Sequence, residues 1–400
     1  MNILISAYGC SPVRGSEYGI GWNVIKQIAK NHSHKCWVLT NITDQSQIEQ
    51  ELANSPLDNV TFIFVAMSEG SRNSGLSHYL YYIAWQIRAF FVAKKLQDEI
   101  GFDLVHHVTY QNSWLPTWIG WLGVPLIWNG GAKDKIPSVL LKTLSLQSAM
   151  MERIRMVSMN VLGGFTQWSV ASRAKLILSR EASQWSDNLP VKAFPPFGLN
   201  QKDIERLGQL PQRQDEPFRV VSIGRFLGWK GFALGIRAFA QFHREHPTSE
   251  YWLIGDGPEK EGLEKLAKEL GCGDAVRFWG KLSRDQVLQR MAEVDVLMHP
   301  SFHDHWPTVV LEAMASGRPV VCLDIGGPSL MVQEDWGIKV PVDNLSQVIN
   351  DLDQALLQLA TNGEKRISMG LKGRVIVSEN WSWEIIGEQM LNLYQEVINS

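Results

Sequence analysis

Short apolar runs rich in Val, Ile and Leu alternate with longer segments of helical periodicity along the chain. Because the strands of a parallel sheet are buried on both faces, this rhythm predicts parallel sheets covered by helices. In the first half the expected strands are Ile3–Ala7, Cys36–Thr40, Val60–Ala66, Leu104–His107, Pro125–Trp128, Lys175–Ser179 and Val191–Phe194, with helices such as Gly19–Asn31 and Tyr82–Glu99 between them. The pattern is typical of a doubly wound α/β domain.

A second series of elements follows a polar segment at residues 198–217, which has the composition of an interdomain linker. Its expected strands are Phe218–Gly224, Tyr251–Gly255, Val276–Gly280, Val296–His299, Val320–Asp324 and Gly337–Val340, separated by helices near 231–246, 259–270, 284–293, 308–316, 327–334 and 344–361. The sequence predicts an α/β protein of two doubly wound Rossmann-like domains, residues 1–200 and 201–382, facing a central cleft. The apolar positions of a final helix at 383–400 need a surface to cover, so this helix is expected to pack back on the first domain.

Composition narrows the class of protein. The 400 residues carry a net charge of −3, with 17 Lys and Arg against 13 Asp and Glu in residues 1–200 and 21 against 28 in residues 201–400. A small negative total argues against nucleic acid as a partner, because binding to phosphates needs clustered cations. The four cysteines lie far apart, without a C-x-x-C pair, and the N-terminus begins directly as a strand, so a reduced cytoplasmic chain is expected. No apolar stretch reaches the ~20 residues of a membrane span.

The first candidate motif joins a strand to a helix, with Gly224 and Arg225 at the strand end and Lys230 at the helix start. The amides of a helix N-terminus favour an anion, and an Arg with a Lys beside them suits a diphosphate. Two surface cations beside a turn are the simpler alternative. The position at a strand–helix junction favours phosphate binding.

The second motif, Gly255-Asp-Gly257-Pro258, also follows a strand and precedes a helix. Glycine allows positive φ and close approach of a ligand to the backbone. A plain connection and a ligand-facing loop are equally compatible with this sequence.

The third motif places Asp304 on a loop after a strand and Glu312 inside the following helix, with Thr308 as the expected N-cap. Two carboxylates can address the vicinal hydroxyls of a ribose or a sugar ring. The neighbouring His303 and His305 suggest a metal only weakly, because no further ligand cluster is evident, and no metal is expected.

As a set, these motifs resemble the nucleotide-sugar domain of retaining glycosyltransferases with the GT-B fold. The order G-R-x4-K-G, G-x-G-P, and an acid eight residues before the Glu of E-A-M-A-x-G-x-P-V-V is similar to glycosyltransferase family 4, the group 1 transferases. Asp304 stands where the family has Glu, and His305 stands where it has Gly. The resemblance is carried by strong motifs in the C-terminal half and is looser in the N-terminal half.

The resemblance implies roles for matching positions. Arg225 and Lys230 would hold the donor diphosphate and stabilise the leaving group, and Asp304 would contact the transferred sugar. Glu312 would bind the ribose, and amides near Thr308 and Val309 would face the distal phosphate.

In the N-terminal half, Gly15, Ser16 and Glu17 resemble the family's glycine-rich loop, which approaches the donor. His107, with His106 as the second choice, is expected near the donor sugar, although a buried histidine with satisfied hydrogen bonds fits equally well. Asn129 and Gly130 resemble a turn on the acceptor side; a tight strand-end turn is the alternative.

The function implied is transfer of a sugar from a UDP- or GDP-linked donor to a glycan or lipid-linked acceptor, with retention, without cofactor or metal, in bacterial surface polysaccharide biosynthesis. A nucleotide-sugar epimerase or phosphorylase on the same fold, and a catalytically silent nucleotide-sugar-binding subunit, remain as alternatives. Segment 141–168, with Lys142, Arg153 and Arg155 among apolar residues, is either an amphipathic helix with solvated charges or an interfacial helix on anionic lipid at the inner face of the cell membrane.

Overall fold

The structure, a computed structural model, describes residues 1–15, 17–67, 76–110, 115, 117–130, 136–142, 144 and 146–400. The chain forms two compact units. The first consists of Met1–Lys133, Arg155–Phe197 and Trp383–Ser400, and the second of Asp134–Ile154 and Gly198–Ser382.

Each unit contains one sheet in which all neighbouring strands run parallel. The strands of the first are β1 Asn2–Ser6, β2 Lys35–Asn41, β3 Val60–Val65, β4 Leu104–His107, β5 Leu126–Asn129, β6 Ala174–Ser179 and β7 Val191–Ala193; those of the second are β8 Arg219–Ile223, β9 Glu250–Ile254, β10 Val276–Gly280, β11 Val296–His299, β12 Val320–Leu323 and β13 Gly337–Val340. The strand orders are β3-β2-β1-β4-β5-β6-β7 and β10-β9-β8-β11-β12-β13. Both orders reverse direction beside the first strand of the unit, so the predicted doubly wound α/β class is confirmed.

Helices connect the strands and cover the sheets. They are α1 Glu17–Ala29, α2 Gln45–Asn54, α3 Leu76–Ile100, α4 Ser138–Leu141, α5 Leu146–Ala171, α6 Gln201–Gly208, α7 Phe232–Glu245, α8 Lys260–Glu269, α9 Arg284–Met291, α10 Thr308–Ala315, α11 Gly326–Met331, α12 Leu345–Thr361, α13 Gly363–Asn380 and α14 Trp383–Asn399. Within the ranges that the structure describes, no helix is both long and apolar enough to cross a membrane.

The final helix lies in the first unit, where it packs against α1. Its side chains Ile386, Met390 and Tyr394 are buried in the same core cluster as Ile25 and Ile28. Gly387 brings the two helices together, because a Cβ at this position would lie 2.5 Å from Cβ of Gln27. The apolar stripe of the C-terminal segment is therefore covered by the first unit, as its sequence required.

The division of the chain differs from the sequence-based boundaries in one internal segment. Residues Asp134–Ile154 belong to the second unit, although they lie inside the 1–200 range assigned to the first. Ile136 and Leu140 are buried in the core cluster that contains Phe218. A short apolar stretch can be covered by either unit, and its periodicity does not specify which.

The polar segment at 198–217 is not an unstructured linker. It contains α6, whose Ile204 and Leu207 are buried. Its Pro211 carbonyl accepts a hydrogen bond from Nη2 of the buried Arg318 at 2.8 Å. The polar composition reflects the solvent-facing side of a packed helix.

Candidate functional site

The loop between β8 and α7 carries the two predicted phosphate ligands. Gly231, the N-cap of α7, has φ +68°, and a Cβ there would lie 1.9 Å from the carbonyl oxygen of Pro300. Glycine is therefore required both for the turn and for the close approach of the loop after β11. Arg225 is exposed and makes no side-chain hydrogen bond or ion pair to any described residue, whereas Lys230 is half-buried and paired.

The loop after β9 packs directly on this first loop. A Cβ on Gly255, whose φ is +143°, would lie 1.9 Å from the carbonyl oxygen of Gly224, and one on Gly257 would lie 2.5 Å from that of Phe226. The amide of Phe226 donates to the carbonyl of Asp256 at 2.9 Å. The glycines of the second motif therefore have a structural reason, namely contact between two neighbouring strand-end loops.

The loop after β11 places Asp304 between two basic side chains. Its Oδ2 lies 2.5 Å from Nζ of Lys230 and 3.0 Å from Nε2 of His299. Burial alone would raise the pKa of Asp304, but the hydrogen bond from His299 and the charge of Lys230 outweigh it and hold this pKa well below its usual range. Asp304 is therefore an ionised carboxylate bound to the same lysine that is expected to hold the donor diphosphate.

Glu312 is buried on the inner turns of α10 and forms an ion pair with Arg284 on α9, with 3.1 Å between Oε1 and Nη1. Burial raises the pKa of Glu312, and the charge of Arg284 offsets part of this effect. Nη2 of Arg284 also donates to Asp203 of α6 at 2.9 Å. The carboxylate of Glu312 on α10 is thus held by Arg284 of α9, which also contacts α6.

Helix α10 begins differently from the expectation. Its N-cap is Pro307 and Thr308 is the first helical residue, so the prediction that Thr308 caps the helix was wrong. Proline at the N-cap supplies no capping side chain, and no side chain among the described residues accepts a capping hydrogen bond at this end. The first amides of a helix lack intrahelical acceptors, so those of Thr308 and Val309 keep their capacity to bind an anion.

In the first unit, the two predicted histidines are the last residues of β4 and lie in the core. His106 is 0% exposed, and its ring nitrogens face the hydroxyl of Tyr394 at 2.6 Å and Oδ1 of Asn129 at 3.1 Å. His107 is 2% exposed, with Nδ1 3.2 Å from the hydroxyl of Ser6. Burial lowers the pKa of His106 to about 4, and burial with the neighbouring His106 lowers that of His107 to about 3.

This geometry favours the alternative of buried, satisfied histidines over contact with a sugar. Asn129 is also buried, and its amide donates to the carbonyl of Val108 at 2.9 Å. A Cβ on Gly130 would lie 2.7 Å from the ring of Trp185, which explains a glycine at this strand end.

The glycine-rich loop before α1 is described on both sides of Ser16, which itself lies outside the described residues. Gly15 is exposed and has open space around its Cβ position, and Glu17 is the first residue of α1. Arg14 of the same loop forms an ion pair with the buried Asp44 at 3.1 Å. The loop is thus anchored beside its exposed glycine.

Sequence reasoning missed two basic residues that contact the predicted carboxylates, His299 and Arg284. His299 ends a strand, as His107 does, and its position one loop before Asp304 was the available signal. Arg284 follows Ser283, which forms a capping box with Gln286 and so starts α9 at the carboxyl end of β10. His299 opens the third motif but was given no role there, and Arg284 lies outside all three motifs.

Comparison with known proteins agrees with the resemblance that the motifs of the second unit indicated. Residues 203–374 match the family of glycosyl transferases group 1. The matched segment contains the three strand-end loops together with Asp304, Glu312 and the three basic residues that contact these carboxylates, Lys230, His299 and Arg284.

A curated relative, the lipopolysaccharide core biosynthesis glycosyltransferase LpsE of Rhizobium meliloti, is 33% identical over 177 residues, which are 44% of this chain and 48% of the relative. The chain spans about half the length of the curated relatives it matches.

Two solved structures match along the whole chain. Sucrose-phosphate synthase from Thermosynechococcus elongatus has a TM-score of 0.70 and 21% identity, with 100% of this chain and 99% of that chain covered. HepE of Anabaena in complex with UDP has a TM-score of 0.63 and 17% identity, with 99% of each chain covered. These likenesses confirm the predicted GT-B fold, and the segment that matches group 1 transferases, residues 203–374, lies within the second unit.

Proposed function

We propose that the chain is a retaining glycosyltransferase of family 4 that transfers a sugar from a nucleoside-diphosphate sugar to a hydroxyl group of a glycan or lipid-linked acceptor. The observation that carries the proposal is the group of strand-end loops in the group 1 domain. There, an exposed arginine, a lysine and the uncapped start of α10 follow the neighbouring strands β8 and β11. Cations and free amides in this arrangement suit the two phosphates of such a donor.

Most donor contacts are assigned to side chains and amides of the second unit. Arg225 and Lys230 bind the diphosphate, the amides of Thr308 and Val309 bind its distal phosphate, and Glu312 accepts hydrogen bonds from the ribose hydroxyls. Because the charge on the diphosphate grows as it leaves, these cations stabilise the transition state more than the ground state.

The reaction requires no side-chain nucleophile. The bond between the anomeric carbon and the phosphate oxygen breaks, the acceptor oxygen bonds to that carbon from the same face, and the acceptor proton passes to the departing phosphate. This scheme is consistent with His106 and His107, because both histidines are buried and hydrogen-bonded within the first unit.

The names of the relatives support a setting in surface polysaccharide synthesis, and we place this activity on the cytoplasmic side of the membrane as part of the proposal. LpsE is named for lipopolysaccharide core biosynthesis, and HepE was solved with UDP. We therefore propose a UDP-linked donor first and a GDP-linked donor second.

The test is turnover with UDP-glucose, UDP-galactose and GDP-mannose against a panel of glycan acceptors, with release of the nucleoside diphosphate as the readout. Proton NMR of the product then gives its anomeric configuration. An α-linked product from an α-linked donor supports retention, and a β-linked product overturns it. Nucleotide binding without turnover on any acceptor would favour the silent binding subunit.

We also propose peripheral contact with anionic lipid through the first unit, and α3 supports it. Its Leu80, Ile87 and Phe91 are 58%, 42% and 64% exposed and recur at helical spacing on one face. Residues 76–97 contain no Asp or Glu, whereas Arg88 and two lysines at 94 and 95 are exposed beside this stripe. An apolar stripe flanked by cations is the pattern of an interfacial helix.

Segment 141–168, which the sequence predicts as either an amphipathic helix with solvated charges or an interfacial helix, gives weaker support for lipid contact. On α5, Met150, Ile154 and Val157 are exposed, and Arg153 lies beside them. Glu152 within the same turn reduces the positive charge of this face.

Vesicle flotation tests the lipid proposal. The chain should float with vesicles of phosphatidylcholine and phosphatidylglycerol and remain unbound with phosphatidylcholine alone. Phe91→Asp should abolish flotation, whereas Leu371→Asp, at a leucine of α13 that is 41% exposed, should not. Equal flotation of both variants would contradict the assignment to α3.

A further inference from the structure

The carboxylate of Asp304 is held through one of its two oxygens. Its two side-chain contacts to described residues, with Nζ of Lys230 and Nε2 of His299, are both made by Oδ2. No described residue donates a hydrogen bond to Oδ1. The carboxylate thus has one occupied oxygen and one that remains able to accept a further hydrogen bond.

His299 is placed to fix the orientation of this carboxylate. It is the last residue of β11, and its side chain is 5% exposed. Strand β11 lies between β8 and β12 in the sheet and pairs with both. A carboxylate only accepts hydrogen bonds when ionised, so Nε2 of His299 must donate. A buried ring on a rigid strand has little freedom to move, which makes it a more rigid anchor than the flexible side chain of Lys230.

Lys230 alone would not fix the orientation of the Asp304 carboxylate. Its ammonium group has three donors on a long flexible stem, and the proposed function gives this group a second partner, the donor diphosphate. When Lys230 turns towards a phosphate, the hydrogen bond from His299 is the contact that still holds Oδ2. Asp304 is also one methylene shorter than the glutamate that stands here in the resembling family, so its reach depends more strongly on its orientation.

We propose that His299 is a positioning residue that acts through Asp304: it holds Oδ2 so that Oδ1 can accept a hydrogen bond from a hydroxyl of the transferred sugar. The inference rests on the proposed function, because it assumes a nucleotide sugar at this site. It assigns to His299 the selectivity for the sugar portion of the donor and leaves the diphosphate to Arg225 and Lys230.

Calorimetric titration of the full chain with UDP and UDP-glucose, and with GDP and GDP-mannose, separates the two portions of the donor. His299→Leu should weaken binding of the nucleotide sugar about tenfold, since a hydrogen bond to a charged group has this magnitude, and leave binding of the diphosphate unchanged. His299→Gln, whose amide can donate to the same oxygen, should restore most of the loss. His243→Leu removes a half-buried histidine at the end of α7, hydrogen-bonded to Ser249 at 3.0 Å, and should change neither affinity.

A double-mutant cycle distinguishes action through Asp304 from a general effect on packing. Asp304→Asn should reproduce the loss of sugar affinity, and adding His299→Leu to it should cause no further loss. Additive losses, or an equal loss of affinity for the diphosphate and the nucleotide sugar in His299→Leu, would overturn the inference.

Failure of the proposed function has a different signature. A wild-type chain that binds none of the four nucleotides contradicts the nucleotide-sugar site, and the role of His299 towards a sugar then fails with it. A wild-type chain that binds nucleotide sugars, with His299→Leu binding them equally well, contradicts only the inference.

Discussion

The carboxyl ends of the two sheets differ in what they do with their polar side chains. In the second unit, Arg225 is exposed, and Asp304 is paired with Lys230 in loops that follow the strands. In the first unit, His106 and His107 are the last residues of a strand and point into the core on its two faces. Strand-end position was the same signal in both units, yet the predicted side chains remain accessible only where they follow the strand.

The difference follows from strand geometry. Side chains within a strand alternate between the two faces of a sheet, and helices cover both faces of a doubly wound sheet. His106 therefore contacts Tyr394 of α14. Residues after a strand lie in the loop, where the backbone leaves the sheet and helix N-termini converge.

Removing a cation from the second unit should give the largest effect. Lys230→Ala and Arg225→Ala should each reduce kcat by roughly 10²–10³-fold, because each removes a group that stabilises developing charge on the diphosphate. Steady-state release of the nucleoside diphosphate measures this. Lys265→Ala, at a lysine of α8 whose side chain is 77% exposed, is the matched control and should retain full activity. Unchanged turnover in Lys230→Ala would contradict the claim that the loop cations of the second unit bind the donor diphosphate.

The loop contacts of the second unit should depend on its glycines. Gly231→Ala places a Cβ at positive φ and against the carbonyl of Pro300, so it should lower the free energy of unfolding by at least about 2 kcal/mol. Gly262→Ala is the control, because this helical glycine has open space around it, and the change should stabilise α8 by up to about 1 kcal/mol. Urea denaturation measures both, and equal stabilities would show that the loops are not held together as described.

The histidines of the first unit should affect stability. His106→Leu leaves the buried hydroxyl of Tyr394 and the Oδ1 of Asn129 without this partner, which should cost about 1–3 kcal/mol in the free energy of unfolding. His32→Leu, at an exposed histidine, should cost almost nothing. A loss of turnover in His106→Leu at unchanged stability would return this residue to the list of catalytic candidates.

The pH dependence of stability should distinguish His106 of the first unit from Asp304 of the second by its range. Burial lowers the pKa of His106 to about 4 in the folded state, below the ~6.5 of an exposed histidine, so the unfolded chain binds more protons between these values. The contribution of His106 to the free energy of unfolding is therefore complete above pH ~6.5. It is lost as the pH falls to about 4, by up to about 1.4 kcal/mol per pH unit.

Asp304 has a lowered pKa, so its contribution to the free energy of unfolding is lost only when the pH falls below ~3.9, the ordinary pKa of a carboxyl group. His106→Gln should therefore flatten the loss of stability between pH 6.5 and 4, and Asp304→Asn should leave that range unchanged. Denaturation curves at half-unit steps of pH measure both, and an unchanged slope in His106→Gln would contradict the buried neutral state of this histidine.

Much of the fold could be predicted from the sequence because parallel strands and their helices leave local patterns. The thirteen strands expected from apolar runs correspond to the strands of the two sheets in the described residues, with ends that differ by at most one position. The strand-end loops of the second unit could be found because backbone geometry requires glycine at Gly231 and Gly255, close in sequence to Arg225 and Lys230.

What could not be predicted depends on contacts between distant segments. Arg284 lies 28 positions from Glu312, and a single sequence contains nothing that joins them. The same is true of Leu140, whose burial with Phe218 places residues Asp134–Ile154 in the second unit. The paired His106 and Tyr394 are separated by 288 positions, so the choice between a catalytic and a structural histidine needed the structure.

The most direct test of the central claim is the rise in melting temperature that UDP or GDP causes in the full chain. A ligand that binds only the folded state stabilises it in proportion to its affinity. The wild-type chain and His106→Gln should show the same rise at saturating nucleotide, and the double variant Arg225→Ala/Lys230→Ala should show none. A rise in the double variant equal to that of the wild type would contradict a diphosphate site at the strand ends of the second unit.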